Sequence, residues 1–275
     1  MNRFRGSVPL TDEWNHFKFS INGPVATVTL NRPEKLNPLT FESYADLRDL
    51  LAELPHHTGV RALVIEGEGK GFCGGGDVNE IIGELIKMKP ADLMRFTKMT
   101  GDVIGAMREC PIPIITKIQG IAAGAGSVIA LASDFRVVGR AGRFAFLFIK
   151  VGLSGGDMGA AYLLPRIVGL GRATSLLMLG DTIDAETADR FGLVSQLVDD
   201  DDLDAAVASL AQRIASGPTL ALTQTKALLT RELDMSMSAS LELDAMTQAL
   251  LMTTADHAEF HTAFNAGRKP EWTGQ

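Results

Sequence analysis

Residues 120–157 read GIAAGAGSVIALASDFRVVGRAGRFAFLFIKVGLSGGD, and this stretch decides the fold of the chain. It opens with a turn of small residues, Gly124-Ala125-Gly126, and runs into an apolar segment that predicts a helix through Leu131. A strand is predicted at residues 135–139, and a second glycine turn ends at Asp157. The stretch therefore combines helix, strand and two flexible turns, one of which carries a single acid.

Upstream of this stretch the same unit repeats. The dipeptide Asn22-Gly23 joins two β-branched runs, at residues 16–22 and 25–30, and predicts a β-hairpin. Thr40 and Ser43 predict a capped helix that extends to about residue 54. Further strands are predicted at residues 62–66 and 114–118, and further helices from about Asp77 and over residues 91–108.

Downstream the signals are almost entirely helical. Helices are predicted at residues 158–167, 172–179, 185–191, 203–216 and 219–230, with one long helix at 238–265 and a short strand at 194–198. We therefore expect an α/β core at residues 1–202, and a C-terminal helical region at residues 203–275 that mediates oligomerisation and covers the site.

The composition excludes several classes of protein. The 275 residues are 46% hydrophobic and 21% charged, with a net charge of −7, which argues against disorder and against a nucleic-acid or anionic-membrane partner. The N-terminal residues lack the apolar run of a signal peptide, so a cytoplasmic protein is expected. Two cysteines and the pair His257 and His261, which lacks a third ligand, predict neither a disulfide framework nor a metal site.

The glycines between Gly67 and Gly76 match neither a Walker loop nor a dinucleotide fingerprint. Three glycines before a helix instead leave backbone N–H groups free to bind a ligand, and the turn Gly124-Ala125-Gly126 leaves such groups free as well. Two such donors directed at one oxygen would form an oxyanion hole. Close packing between strands and helices explains the glycines equally well.

Five segments together carry a resemblance to a known family. They are NRPEKLNPLT (31–40), GFCGGGDV (71–78), PIITKIQGIAAGAGSVIALASDFRVV (113–138), GDTIDAETADRFGLVSQLV (180–198) and AFNAGRKPEW (263–272). In type and order they resemble the crotonase superfamily, the family of enoyl-CoA hydratases and isomerases. The resemblance implies an α/β fold, the crotonase (ClpP-like) spiral of ββα units with a C-terminal α-helical region.

The same resemblance implies an acyl-CoA thioester substrate, with coenzyme A as part of the substrate and no separate cofactor, and a homotrimer or dimer of trimers. The backbone N–H groups of Gly76 and Ala125 are expected to hold the thioester carbonyl. Asp77 is expected to be structural. The other residues expected at the substrate site are Arg32, Glu34, Lys35, Leu36 and Pro38 along the CoA moiety, Lys269 near its phosphates, and Gly74, Gly75, Val78, Val128 and Phe148.

Two departures from the family bear on the reaction. Hydratases of the family use two glutamates, and their positions hold Val128 and Phe148 here, so that a two-glutamate hydration is not available. Asp157 occupies the position of the catalytic acid in some isomerases and in a dehalogenase, although a longer loop shifts the register by one in a second alignment. A cap for a helix from Met158 is the alternative role.

The predicted function follows from these departures. The aromatic run from Phe144 to Ile149 is expected to face an apolar or cyclic acyl group and to raise the pKa of Asp157. We expect a double-bond isomerase in which Asp157 is the single acid/base. The alternatives are a hydrolase, dehalogenase or atypical hydratase acting on a cyclic or aromatic acyl-CoA, and a non-catalytic acyl-CoA-binding protein.

Overall fold

The computed structural model describes residues 13–57 and 59–275, which form two β-sheets and surrounding helices. The strands are β1 (Lys18–Asn22), β2 (Val25–Leu30), β3 (Ala62–Gly67), β4 (Ile114–Ile118), β5 (Ile121–Ala123), β6 (Phe135–Gly139), β7 (Arg143–Ala145), β8 (Thr182–Asp184) and β9 (Gln196–Val198).

The helices alternate with the strands at first and then dominate the chain. They are α1 (Phe41–Glu53), α2 (Gly83–Leu85), α3 (Pro90–Glu109), α4 (Ala125–Ala132), α5 (Ala160–Val168), α6 (Leu170–Leu179), α7 (Ala185–Arg190), α8 (Leu203–Ala215), α9 (Thr219–Arg231), α10 (Met237–Leu251) and α11 (Ala255–Asn265). A π-helical turn, Val78–Ile82, leads directly into α2.

The larger sheet has six strands in the order β1-β2-β3-β4-β6-β9. The β1–β2 pair is an antiparallel hairpin with Lys18 opposite Thr29, and Gly23 at its turn has φ +56°, which confirms the hairpin prediction. The other pairs are parallel. Parallel strands need crossover connections, which α1, α3 and α4 supply.

Both faces of this sheet are covered. Leu63 and Ile65 of β3 belong to the main apolar core, whereas Val64, which points to the opposite face, packs in a second cluster with Val207 of α8. The division of the chain at residue 202 remains a prediction, and α8, which begins directly after it, packs on the core sheet.

Helix α1 begins as its sequence predicts. The Thr40 hydroxyl accepts a hydrogen bond from the Ser43 amide at 3.2 Å, and the Thr40 amide donates to the Ser43 hydroxyl at 2.6 Å, which completes a reciprocal capping box. Phe41 then packs edge-on against Phe96 of α3, with ring centroids 5.1 Å apart. This contact fixes α1 against α3 on one wall of the region described below.

The smaller sheet, β5-β7-β8, was not predicted. Each of its strands has three residues, too few for an alternating pattern, and unlike the equally short β9 none lies in a segment that was predicted as a strand. The sheet pairs β5 with β7 in parallel, with Ala122 opposite Phe144, and so brings the Gly124 turn beside the segment that leads to Asp157.

The prediction of one long helix at residues 238–265 is wrong. The chain leaves α10 after Leu251 and starts α11 at Ala255. The hydroxyls of Thr253 and Thr254 bind the carbonyls of Leu250 and Leu251, and Thr254 also accepts from the His257 amide at 3.2 Å. Threonine hydroxyls that satisfy helix ends in this way compete with helix continuation.

Within residues 13–57 and 59–275, no helix is both long and apolar enough to cross a membrane.

Candidate functional site

The first glycine turn, residues 74–77, is held by Leu39. The Leu39 amide donates to the Gly75 carbonyl at 2.7 Å, and the Asp77 amide donates to the Leu39 carbonyl at 2.8 Å. In a parallel bridge the residue between two such partners directs its own N–H to the opposite side. The Gly76 N–H therefore points away from Leu39.

The second turn is held against the first through Cys73. The Cys73 amide donates to the Ile121 carbonyl at 3.0 Å, and the Ala123 amide donates to the Cys73 carbonyl at 2.8 Å. A Cβ on Gly126 would lie 2.5 Å from the Cys73 oxygen, so only glycine fits at position 126. The small residues therefore serve close packing, as one of the two interpretations of the sequence held.

The same packing leaves two backbone donors free. Ala125 is the first residue of α4, and its N–H, like that of Gly76, donates to no residue in the described part of the chain. A Cβ on Gly75 would lie 3.7 Å from the Ala125 nitrogen, so the two turns are in contact. Gly75 itself has φ +96°, a conformation that favours glycine.

Both turns line one cavity of about 170 Å³. Its wall is mostly apolar and comes from the π-helical turn, α2, α3 and the segment after β7. The polar groups along it are the backbone groups of the two turns and the side chains of Tyr44, Thr100 and Asp157. The apolar side chains are Val78, Ile81, Ile82, Leu85, Phe96, Leu147, Phe148, Val151 and Leu153.

A larger and more open groove, of about 430 Å³, lies beside the Asp157 loop and is lined by Ile149, Ser154 and residues of α6. None of its lining residues is acidic or basic, whereas Asp157 lines the smaller cavity.

Asp157 is half-buried at the cavity wall. Its Oδ1 accepts a hydrogen bond from the Met158 amide at 2.9 Å. Burial raises the pKa of this carboxyl above its ordinary value, and the Met158 hydrogen bond only partly offsets that effect. The sequence analysis also expected a raised pKa for Asp157, and the direction of the shift is the same.

The helix cap considered for Asp157 is not what the structure shows. Met158 has φ +51° and Gly159 φ +85°, so the chain turns sharply before α5 begins at Ala160. The hydrogen bond of Asp157 goes to its own neighbour and not to the first turn of α5. The carboxylate is thus held by one donor at the cavity wall.

Tyr44 is a cavity residue that the sequence analysis missed. It lies on α1, is only 3% exposed, and its ring meets Phe96 edge-on at 6.0 Å. Burial, followed by the nearby Cys73 and Asp157, raises its pKa well above the ordinary value. The only available signal was a polar tip on the apolar face of a predicted helix.

Asp77 lies at the opposite end of the first turn in a different environment. Its Oδ1 accepts from the amides of Asn79 and Glu80 at 3.0 and 3.1 Å, which caps the π-helical turn. Its Oδ2 receives no directed hydrogen bond, but Arg32 Nη2 lies 3.1 Å away as an ion pair. Burial opposes ionisation, yet these amides and the cations Lys35 and Arg32 hold its pKa below the ordinary value.

The loop expected along the CoA moiety is anchored to this turn. The Gly74 amide donates to the Leu36 carbonyl at 2.7 Å, and Arg32 Nη1 donates to the Pro38 carbonyl at 3.3 Å. Lys35 Nζ lies 3.6 Å from Asp77 Oδ2, while Glu34 is exposed on the same turn. Arg32 and Lys35 also pair with Glu80, at 2.6 and 3.8 Å, so the loop forms a rim of paired charges beside the first glycine turn.

Other predicted site residues lie elsewhere. Val128 is fully buried in α4 and does not line the cavity, because its helix position faces the core. Lys269 is exposed beyond α11 and is not among the cavity residues. In the predicted aromatic wall, Leu147 and Phe148 line the cavity, whereas Phe144 and Phe146 are core residues.

In the part of the chain that the structure describes, no group of three or more His, Cys, Asp or Glu side chains is placed to hold a metal ion.

Comparison with known proteins bears on the whole chain. A sequence profile described as enoyl-CoA hydratase/isomerase matches residues 20–275. The 1,2-epoxyphenylacetyl-CoA isomerase of Escherichia coli K12 is 34% identical over 251 residues, which is 91% of this chain and 95% of that protein. The (E)-benzylidenesuccinyl-CoA hydratase of Thauera aromatica is 33% identical over 256 residues, or 92% and 97% of the two chains.

Solved structures agree with these matches. A Streptomyces coelicolor A3(2) protein, provisionally called an enoyl-CoA hydratase, is 61% identical and superimposes with a TM-score of 0.95 over 100% of both chains. The predicted α/β crotonase spiral with its C-terminal helical region is confirmed by this match.

Proposed function

Since the chain belongs to the enoyl-CoA hydratase/isomerase family and processes acyl-CoA, we propose that it moves a double bond within the acyl group, with Asp157 as the single acid/base. The observation that carries this proposal is the cavity itself. Among the described residues, Asp157 is the only carboxylate that lines the cavity, and the residues of the two free backbone donors line it as well.

The free N–H groups of Gly76 and Ala125 form the proposed oxyanion hole. Removing a proton beside a thioester places negative charge on the thioester oxygen, and two fixed donors stabilise that charge without having to reorganise. Removing one oxyanion-hole donor from the protease subtilisin costs roughly 2.7 to 4 kcal/mol, which sets the scale expected for such a donor. The packing at Gly126 and Cys73 holds the two donors in place.

Asp157 performs the proton transfer. For a 3-enoyl ester its carboxylate accepts the proton from C2, a C2–C3 double bond forms, and the C3–C4 electron pair takes a proton back at C4 from the same carboxyl group. Burial raises the pKa of Asp157, which makes it a stronger base than an exposed aspartate. No second acid is needed, since no water is added.

The size of the cavity indicates the acyl group. An apolar cavity of about 150 Å³ holds a benzene molecule in another protein, and this cavity offers about 170 Å³. A cyclic or aromatic acyl group of that size fits. The names of two relatives, which refer to epoxyphenylacetyl-CoA and benzylidenesuccinyl-CoA, agree with such a group.

The charged rim that carries Arg32 and Lys35, each paired with Asp77 and Glu80, is proposed to meet the CoA moiety. Assembly as a homotrimer or dimer of trimers is also proposed, and exposed apolar side chains support it. The rim lies beside the turn that carries Gly76. On α10 and α11, Met237, Leu250 and Phe264 are each at least 70% exposed. Molar mass in solution by light scattering would test the assembly.

The reaction is tested with matched esters and the whole protein. Wild-type protein is incubated with 3-enoyl-CoA and 2-enoyl-CoA esters of one acyl chain, and products are identified by mass spectrometry and by the absorbance of the conjugated thioester. The proposal expects the 3-enoyl ester to become the 2-enoyl ester, with no gain of water. A 3-hydroxyacyl product would establish an atypical hydratase, and binding with no product would establish a non-catalytic protein.

A single turnover in ¹⁸O-labelled water separates the nucleophilic alternatives. An Asp157 that attacks the substrate and is freed by water acquires label in its carboxyl group, as in a hydrolase or dehalogenase. The proposed acid/base does not, because its oxygens never leave or form bonds to carbon of the substrate.

A further inference from the structure

The hydroxyl of Tyr44 is a buried polar group with no use in the reaction proposed above. Tyr44 lies on α1 one turn after the Thr40 cap, and its amide donates to the Thr40 carbonyl at 3.2 Å. The ring is held edge-on against Phe96. Its oxygen is therefore fixed at one place on the cavity wall.

That place is beside the first glycine turn. The Tyr44 oxygen lies 3.6 Å from the position that a Cβ on Gly76 would occupy. The ring is buried and the residue is only 3% exposed, but the hydroxyl oxygen is not among the enclosed polar atoms that lack a partner, because Tyr44 lines the cavity. No hydrogen bond joins this hydroxyl to another of the described residues. Buried hydroxyls in folded proteins are nearly always bonded to protein or to water, so this one is satisfied by what enters the cavity.

The apolar wall of the cavity makes the Tyr44 hydroxyl depend on the bound acyl group for a hydrogen bond. The same cavity is lined by Ile81, Leu85 and Phe148, which offer no hydrogen bond. Asp157 is near enough to raise the pKa of Tyr44, but its hydrogen bond is to the Met158 amide. A hydrocarbon acyl group that filled about 170 Å³ would expel water and leave the hydroxyl unpaired. An oxygen on the acyl group would restore the lost bond.

We propose that Tyr44 binds an oxygen substituent of the acyl group and selects oxygen-bearing acyl-CoA esters over hydrocarbon ones. The inference rests on the proposed function in one respect, that the acyl group occupies this cavity. The hydroxyl of tyrosine is ordinarily neutral at physiological pH, and burial raises its pKa further here, so it serves as a hydrogen-bond donor or acceptor without carrying charge.

The test is equilibrium binding, which needs no turnover. Phenylacetyl-CoA and its 2-, 3- and 4-hydroxyphenyl derivatives are titrated by calorimetry into wild-type protein and into Tyr44→Phe, which keeps the ring contact with Phe96. We expect at least one hydroxylated ester to bind wild type about tenfold more tightly than phenylacetyl-CoA, and Tyr44→Phe to lose that preference. The affinity of phenylacetyl-CoA itself is expected to stay equal or rise.

Thr100→Val is the matched control. Thr100 also lines the cavity, but its hydroxyl already donates to the Thr97 carbonyl at 3.0 Å. Its removal is expected to leave the ratio of the affinities unchanged. Thermal melting of both variants checks that they fold.

Three results would overturn the inference or its premise. If wild type shows no preference for any hydroxylated ester, or Tyr44→Phe keeps the wild-type preference, Tyr44 does not select the acyl group. If instead Tyr44→Phe shifts the pH dependence of turnover while the affinity ratio stays constant, Tyr44 acts on Asp157. If none of the esters binds, the proposed function itself fails, which is a separate outcome from the loss of selectivity.

Discussion

The turn at Asp77 and the loop at Asp157 each place one aspartate after a run of glycines, yet they hold it in opposite ways. Asp77 accepts two amide hydrogen bonds and lies beside two cations, and its pKa is lowered. Asp157 accepts one amide hydrogen bond, no cation in the described part of the chain contributes to its pKa, and burial raises that pKa.

The difference between the two aspartates shows how the surroundings of a carboxylate decide whether it stabilises the fold or acts as a base. A carboxylate surrounded by donors is kept ionised and stabilises the fold, but it is a weak base. A carboxylate left at an apolar cavity costs stability and gains basicity, which is the usual trade at catalytic sites. The same residue type therefore serves as a cap in one turn and as the proposed base in the other.

The largest expected effect is on turnover. Asp157→Asn should lower kcat/KM for isomerisation by about 10²–10⁴, the usual contribution of general acid–base catalysis, because asparagine cannot take the proton. The dissociation constant of the ester, measured by calorimetry, should change little. Ser154→Ala, in the same loop but outside the cavity, is the control, and equal losses in both variants would point to a loop defect.

A somewhat smaller loss is expected when one backbone donor is removed. Ala125→Pro deletes the N–H at the first position of α4, where proline is tolerated in helices. We expect kcat to fall by about 10²–10³ while Asp157 remains in place. Steady-state kinetics measures the loss, circular dichroism confirms that α4 persists, and unchanged kcat in a folded variant would remove Ala125 from the oxyanion hole.

The pH dependence of the rate distinguishes the two aspartates directly. The base must be ionised, so kcat/KM should rise about tenfold per pH unit below the pKa of Asp157, which lies above the ordinary 3.8. Asp77 is already ionised there, since its pKa is below 3.8. A pH–rate profile of wild type should show this limb, and that of Asp157→Asn should not. A limb that survives in Asp157→Asn belongs to another group.

The smallest effects are on stability, and their signs differ. Asp77→Ala should lower the free energy of unfolding by about 0.5–2 kcal/mol through loss of a cap. Because the folded pKa of Asp77 is lowered, this contribution is present above pH 3.8 and is lost as the pH falls through the folded pKa.

Asp157→Asn should raise the free energy of unfolding at neutral pH. The folded pKa of Asp157 is raised, so its ionisation destabilises the fold at neutral pH and the penalty vanishes below 3.8. Urea unfolding of both variants at neutral and acidic pH measures the two differences. Destabilisation by Asp157→Asn at neutral pH would show that Asp157 is a structural residue like Asp77.

The sequence predicts the fold where local chemistry decides it. Asn22-Gly23 predicts the hairpin and Thr40 with Ser43 predicts the start of α1, because each acts on its own backbone. The break at Thr254 was missed because the apolar spacing continues across it. Strands β5, β7 and β8 were missed because each is three residues long and follows a glycine turn, whereas the equally short β9 lies in the predicted strand at residues 194–198.

The site could be predicted only in part for a related reason. The two glycine turns could be predicted from their composition, and Asp157 could be predicted because it is the single acid in a glycine-rich loop. Tyr44 and Thr100 reach the cavity from α1 and α3, and which helical side chains meet across a cavity depends on tertiary packing. Val128 was misplaced for the same reason, since its helix turns it into the core.

The most direct test of the central claim follows the proton. Wild type and Asp157→Asn are incubated in D₂O with a 3-enoyl-CoA ester, and deuterium at C2 and C4 of the ester pool is measured by NMR. The account predicts double-bond migration by wild type, with deuterium at C4 in proportion to the exchange of the Asp157 carboxyl proton with solvent, and neither migration nor exchange in Asp157→Asn. Migration and exchange in Asp157→Asn at the wild-type rate would contradict the role of Asp157.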